Sequence, residues 1–502
     1  MKKWLDNHKE IIVFLIYSCV TFSILFFHEN WRDEAQAWLI ARDCSIPELI
    51  AEMKYEGHFL LWYLILMPFA KLGFPYFTIN VISWFITCIS VWLLFYKAPF
   101  RFFEKLLIAF SFPLLYLYPV ISRCYCLIPL AVVLMAVFYK DRLGKPLRFL
   151  SSVVLLFNSH IIMAGMVGVV LAEYLIELFA NLKYLNVQQK KDNLYSVGIM
   201  SILMIASICP LFGCLNTNKE VNSYGIMNLD FFQVFFVYPL ETLNTIYVLI
   251  NKNLLIHNFM LAILAVLLVY EVLNKPQMCL KIWVCVVWQC LICAYVKSSI
   301  SLQRAAAVIF IILFFEWIYR VWYTNKLVHS IISFKSLEKF CVDAMLIINI
   351  MCGLAYIIYG EIPYYFSNAN EMAMYINNNL NDNSVILSGP RVEFISGIIP
   401  YTKRQIKYYH IQGKRYFSYA IWDEDNKRDL TVEDLKKTIA DLDKKQKLYY
   451  IYCSGLDGYN SFYKTKSTIK ELVEQGYLKE LYSTCAQSIA KESYAIYKVC
   501  LQ

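Results

Sequence analysis

Apolar runs long enough to enter a bilayer recur from residue 11 to residue 359 of this 502-residue chain and then stop. A helix that crosses a membrane needs about 20 mostly apolar residues. The hydrophobic fraction is 59%, against roughly 45–50% for soluble domains. No soluble fold of this length hides so much apolar surface. Eleven transmembrane helices are expected, over 11–28, 76–96, 105–121, 126–139, 147–158, 161–179, 195–214, 254–272, 280–296, 304–322 and 340–359.

Charge sets the expected orientation. With the N-terminus inside, nineteen Lys and Arg residues fall in inside loops and nine, Lys71 included, on the outside before residue 360. Positive charge marks the cytoplasmic side, so the net charge of +9 implies a membrane protein rather than a nucleic-acid partner. The basic loops suit a bacterial plasma (inner) membrane. Residues 11–28 read as a retained first helix, since no small-residue cleavage site follows Phe27. Residues 58–73, HFLLWYLILMPFAKLG, are too short to span and contain Pro68. Counting them would reverse every later loop, so they read as a juxtamembrane or re-entrant helix. Residues 35–53 place Trp38, Leu39, Ile46, Leu49, Ile50 and Met53 at helical spacing, the pattern of one helix lying in the interface plane.

From residue 360 the texture changes to an extracytoplasmic α/β domain, which divides the chain into 1–359 and 360–502. Strands are expected at 385–389, 405–411, 448–455 and 492–500, with helices at 368–380, 431–445 and 467–477. This alternation implies a largely parallel sheet. No Gly-rich phosphate loop follows any of these strands. Most of the sixteen cysteines lie in apolar runs, where Cys behaves as a small hydrophobe. A pairing among Cys453, Cys485 and Cys500 stays unassigned. The stretch KRQIKYYHIQGKRYFSY (403–419) offers aromatic faces for sugar rings, or equally for packing and solvating a sheet edge.

The residues able to carry chemistry sit in the expected outside loops. NWRDEAQAWLIARD (30–43) holds Asp33 and Glu34 just after the first helix. Paired carboxylates near a membrane are costly and often functional, but acidic residues also favour a helix N-terminus. His58 follows Glu56 in YEGHFLLWYLI (55–65). Arg123 in SRCYC (122–126) either snorkels or holds a phosphate. His160 in NSH (158–160) either ends a helix or meets a ligand, and Lys297 and Arg304 flank the last outside turn. Singly, each has a structural explanation. Together they put cations and a carboxylate pair on one membrane face, which suits a substrate with a phosphate and a hydroxyl to activate.

This order of motifs resembles the integral-membrane glycosyltransferases of the C-type fold, which include protein O-mannosyltransferases and the aminoarabinose transferases that modify lipid A. WRDEAQAW is similar to their DE-containing loop and GHFLLWYL to their HPPLYYLL-like segment. SRCYCLIPL is similar to their SR-x-x-Y-x-L turn, and SLQRAAAVIF to a late Arg that opens a helix. Two departures stand out: Phe59-Leu60 replaces the double proline, and no His follows Arg304. The resemblance implies transfer of a sugar, with inversion, from a polyprenyl-phosphate donor to a hydroxyl of a lipid, glycan or protein acceptor at the extracytoplasmic face. Asp33 would be the general base, with Glu34 orienting it or the acceptor. Arg123, Arg304 and Lys297 would bind the lipid phosphate, and His58 and His160 would position donor or acceptor. The sequence assigns no cofactor, and a divalent metal beside Asp33 stays open. The rival readings are a transporter or flippase of lipid-linked saccharides, a non-catalytic polysaccharide-assembly protein, and a polymerase or ligase that also uses lipid-linked sugars.

Overall fold

The structure, a computed structural model, describes residues 2–213, 233–239, 254–296, 301–322, 335–423, 425, 428–442, 446–455, 463–485 and 487–500. Two compact units emerge. A helical unit comprises Met1–Leu25, His58–Leu61 and Asn80–Ile357. A sheet unit comprises Phe26–Gly57, Trp62–Ile79 and Ile358–Gln502. The sheet unit is therefore more than the segment after residue 360: it also takes in the loop that carries Asp33 and Glu34.

Among the described residues, seven helices are long and apolar enough to cross a membrane. They are Thr78–Lys97, Cys124–Asp141, Ile161–Asn181, Val187–Leu211, Pro276–Cys293, Leu302–Trp322 and Glu338–Glu361. In Val187–Leu211 only 11% of the apolar window is buried, so its apolar side chains face outward, as a lipid-facing helix requires. The segments expected as spans at 147–158 and 254–272 form the helices Pro146–Ser159 and Leu254–Asn274, and 11–28 lies within Lys2–Ile24 save for its last residues, but none of the three is among those seven. The expected span at 105–121 is a correction. Its helix, Phe102–Ala109, stops before Pro113, which lacks an N–H and opens a short π-helical turn over Pro113–Leu117. The bend leaves Tyr118 and Val120 with carbonyls that accept from the Ser83 hydroxyl (2.8 Å) and the Asn80 amide (3.4 Å).

The core of the helical unit joins several helices. Leu264, Leu267, Val286, Cys290, Ala305, Val308, Cys341 and Met345 form one buried cluster. The charged groups of these helices gather with one another. Lys275 is bonded by Glu271, Glu316 and Glu338, and Arg320 by Glu104 and Glu316.

Within the sheet unit, the expected single helix over 35–53 is two helices, Arg32–Asp43 and Ile46–Glu56. Ser45 and Glu48 close a capping box and Pro47 sits in the first turn, so the second helix starts afresh. Trp38, Leu39, Leu49 and Met53 are buried as expected, but Ile46 and Ile50 are exposed. The next helix, Leu61–Lys71, has 11 residues and is too short to span.

Six strands form one sheet: β1 Ser384–Ser388, β2 Lys407–His410, β3 Arg415–Phe417, β4 Lys447–Cys453, β5 Leu478–Ser483 and β6 Tyr494–Val499. The order is β3-β2-β1-β4-β6-β5. Only the central β2-β1-β4 pairings are parallel; β3, β6 and β5 add antiparallel edges. The sheet is mixed, which corrects the expectation of a largely parallel one. Two short polar strands, β3 and β5, carry no apolar run, and each returns beside its neighbour as a hairpin. The helices Ala369–Asn379, Val432–Asp441 and Tyr463–Glu474 fall on the three expected segments. Cys453, Cys485 and Cys500 are all free thiols.

Candidate functional site

In the helical unit, residues from four separate stretches of sequence converge on Tyr125. Arg123 caps the short 3-10 turn Cys124–Cys126 in an extended conformation. Its guanidinium lies 3.1 Å from Nε2 of His58. A guanidinium only donates, so Nε2 of His58 accepts. His160 ends the helix Pro146–Ser159, and its Nδ1 accepts the backbone N–H of Ile162 (3.2 Å). Neutral His160 therefore carries its proton on Nε2, which donates to the Tyr125 hydroxyl (3.2 Å). The two rings stack at 4.9 Å, and the His58 ring packs edge-on against His160 at 5.3 Å. Burial, and then the charges of His58, Arg304 and Arg123, hold the His160 imidazole well below its usual pKa. Arg304, in the first turn of the helix Leu302–Trp322, donates from Nε to the same hydroxyl (3.4 Å).

Hydrogen bonds to backbone carbonyls fix these loops. Tyr118 donates to Gln303 (3.0 Å), Gln289 to Arg304 and Trp288 to Ile161 (3.1 Å). The structure thus brings together His58, Arg123, His160 and Arg304. Lys297 lies outside the described residues. Among the described residues, no carboxylate pairs with Arg304. Two guanidinium groups gathered around a phenol form a polar, cation-rich group that suits a phosphate or pyrophosphate: Arg matches phosphate geometry, and the Tyr125 hydroxyl, which accepts from His160 and Arg304, keeps its own proton to donate.

The sheet unit separates the two neighbouring carboxylates. Glu34 is fully buried. It accepts from the Trp31 N–H (3.1 Å) and from Nε2 of His28 (3.0 Å), while Nδ1 of His28 donates to Glu361 (2.8 Å). Burial pulls the His28 pKa down, but Glu34 and Glu361 outweigh it and raise it to about 10. His28 is an imidazolium locked between two carboxylates, and Glu34 caps its helix.

Asp33 points elsewhere. Its side chain is 28% exposed and lies 3.7 Å from Arg32, which pairs with the buried Glu492 at 3.1 Å. Glu56 ends the helix Ile46–Glu56 and accepts from Gln36 (2.7 Å), Tyr63 (3.1 Å) and Trp422 (3.2 Å). Burial raises Glu56 to about 7 despite those donors, and the charge of Asp33 adds to the rise. Burial likewise raises Glu492 to about 7, against Arg32 and Ser367, with Asp33 again adding to it. Asp33, Glu56 and Glu492 therefore share one electrostatic environment. Among the described residues, no group of three or more His, Cys, Asp or Glu side chains is arranged to hold a metal ion.

Sequence reasoning did not single out Tyr125, His28, Glu361 or Glu492. Glu56 stood beside His58 without a role. The signal for Glu56 was its place before Gly57, whose φ of +66° ends the helix and turns the chain into His58. Nothing local marks Glu492, which lies 460 residues from Arg32. No protein-family model matches the sequence, and no curated protein matches it.

Proposed function

We propose that the chain is a membrane glycosyltransferase that takes a sugar from a polyprenyl-phosphate donor and places it on an acceptor hydroxyl at the extracytoplasmic face. The observation that supports this reading most is the convergence of Arg123, Arg304, His58 and His160 on Tyr125. In this reading Arg123 and Arg304 receive the donor phosphate and stabilise the charge that grows on it as the glycosidic bond breaks. Tyr125 holds Arg304 and His160 in place. Asp33, the more open of the two neighbouring carboxylates, accepts the acceptor's proton, and the sugar inverts in a single displacement. Glu34 is a positioning residue: through His28 and the helix cap it fixes the turn that presents Asp33. The acceptor is a lipid, glycan or protein carrying the hydroxyl.

The test is a transfer assay in membranes with a panel of radiolabelled polyprenyl-phosphate sugars. Wild type moves label into an acceptor and Asp33→Asn does not, at equal expression. Equal transfer by both proteins removes Asp33 as the base. Label that crosses the bilayer still attached to its lipid supports the transporter reading instead.

A further inference from the structure

The sheet unit carries a second cation-rich feature, apart from the carboxylates around Asp33. A cavity of about 790 Å³ opens between the ends of the helices Arg32–Asp43 and Leu61–Lys71 and the β2–β3 edge of the sheet. That volume lies within the roughly 300–1,000 Å³ usual for small-ligand sites. Arg42, Lys71, Lys403, Arg404 and Lys407 line it against one carboxylate, Asp43. Arg42 already neutralises Asp43 through two hydrogen bonds, at 2.7 and 2.8 Å. Lys71 feels the charge of Glu48, and among the described residues no carboxylate forms an ion pair with Lys403, Arg404 or Lys407. Four like charges converging on one concavity repel each other, and an anion relieves that cost.

The site is partly preorganised. Lys403 is anchored at both ends, its N–H to the Asn377 side chain and its ammonium to the Asn377 carbonyl, each at 3.0 Å. The Lys71 ammonium donates to the carbonyl of Arg42 (3.4 Å). Tyr408, next to Lys407 on β2, is fixed by its hydroxyl bond to Thr402 (3.0 Å). Tyr416 is 48% exposed beside these cations, with the Lys407 ammonium 5.7 Å from its ring. An exposed aromatic face beside cations suits a ligand with both an apolar ring face and a negative charge. A pyranose has such a face, formed by its axial C–H groups.

We propose that this cavity binds a phosphorylated saccharide. Lys403, Arg404 and Lys407 take the phosphate, and Tyr416 stacks on the sugar. A role for the cavity as the acceptor's anchoring site rests on the transferase reading; the binding itself does not.

The test uses the purified full chain in nanodiscs of zwitterionic lipid and measures binding by calorimetry. The probes are a hexose 1-phosphate, the free hexose and inorganic phosphate. Hexose phosphate binds more tightly than either of the others, and its affinity falls with salt. Lys403→Glu/Lys407→Glu, both at exposed positions, weakens it at least tenfold. Tyr416→Ala weakens hexose phosphate while leaving inorganic phosphate unchanged. The part of hexose phosphate binding that Lys403→Glu/Lys407→Glu removes persists in Arg304→Ala, in the helical unit. The proposal is overturned if the double variant binds as wild type does, or if Arg304→Ala alone abolishes binding. It is also overturned if hexose phosphate is held no better than inorganic phosphate. Finally, it fails if only phosphatidylglycerol added to the disc is bound, since the cavity is then a bilayer contact.

Discussion

Glu34 and Asp33 are neighbours with opposite fates, and the difference is a matter of helix geometry. Consecutive helical residues point about 100° apart, so one carboxylate turns into the sheet unit and meets His28 while the other stays partly open. The sequence allowed both a capping and a catalytic reading of the pair; the cap is now seen for Glu34 alone. Removing one partner of a buried ion pair leaves the other charge uncompensated, at about 3–5 kcal/mol. His28→Ala should therefore lower the thermal midpoint strongly, as scanning calorimetry would show, while Asp33→Asn should barely move it. The pH dependence has a definite sign. The folded His28 pKa of about 10 lies above its ordinary 6.5, so its contribution is full below about pH 6.5 and is lost as pH rises through 10. The midpoint should fall across that window in wild type and fall less in His28→Gln. Glu56, raised from 4.5 to about 7 by burial and, to a lesser extent, by the charge of Asp33, ionises near neutrality. The proposed transfer rate should rise through pH 7, and Glu56→Gln should flatten that limb; an unchanged limb would exclude Glu56 from the reaction.

At the scale of elements, the helices were legible where apolar periodicity ran unbroken, as in Leu302–Trp322 and Ile161–Asn181. The breaks were harder to see. The segment 105–121 is apolar throughout, yet Pro113 ends its helix, and the bend that follows leads the chain to Arg123. Strands β3 and β5 were missed because three and six residues of mixed polarity carry no period. Their pairing comes from the hairpins that hold them. Packing between helices also depends on features that local patterns do not show. A Cβ built on Gly165 would lie 2.5 Å from Cβ of Trp288, so the helices Ala164–Asn181 and Pro276–Val296 meet where only glycine fits. Trp288 also bonds the Ile161 carbonyl, one residue from His160. Gly165→Val should force this contact apart, costing roughly 1–3 kcal/mol as overpacking does. If His160 serves the donor, the donor KM should rise as well. A variant with unchanged thermal midpoint and KM would mean that the two helices adjust freely.

For the whole molecule, composition already dictated a chain rich in membrane-length helices followed by a small sheet. It did not reveal that the loop after the first helix folds with that sheet. Such long-range partnerships, as of Arg32 with Glu492 or Gln36 with the Ala420 carbonyl, leave no local pattern in a sequence. In the proposed transferase the sheet unit is extracytoplasmic, the side expected from the charge asymmetry of the loops. Cys485 is exposed on that unit, so a membrane-impermeant maleimide should label it in intact cells, and labelling only after lysis would reverse the orientation. In the proposed transferase, Arg123 and Arg304 hold the phosphate of a lipid-linked sugar. The most direct measurement is sugar transfer by the purified chain in nanodiscs, following release of polyprenyl phosphate from a radiolabelled donor. Wild type should release it saturably, and Arg123→Ala/Arg304→Ala should lose roughly 100-fold or more with the fold retained. Release that survives in the double variant would contradict that role for the two arginines.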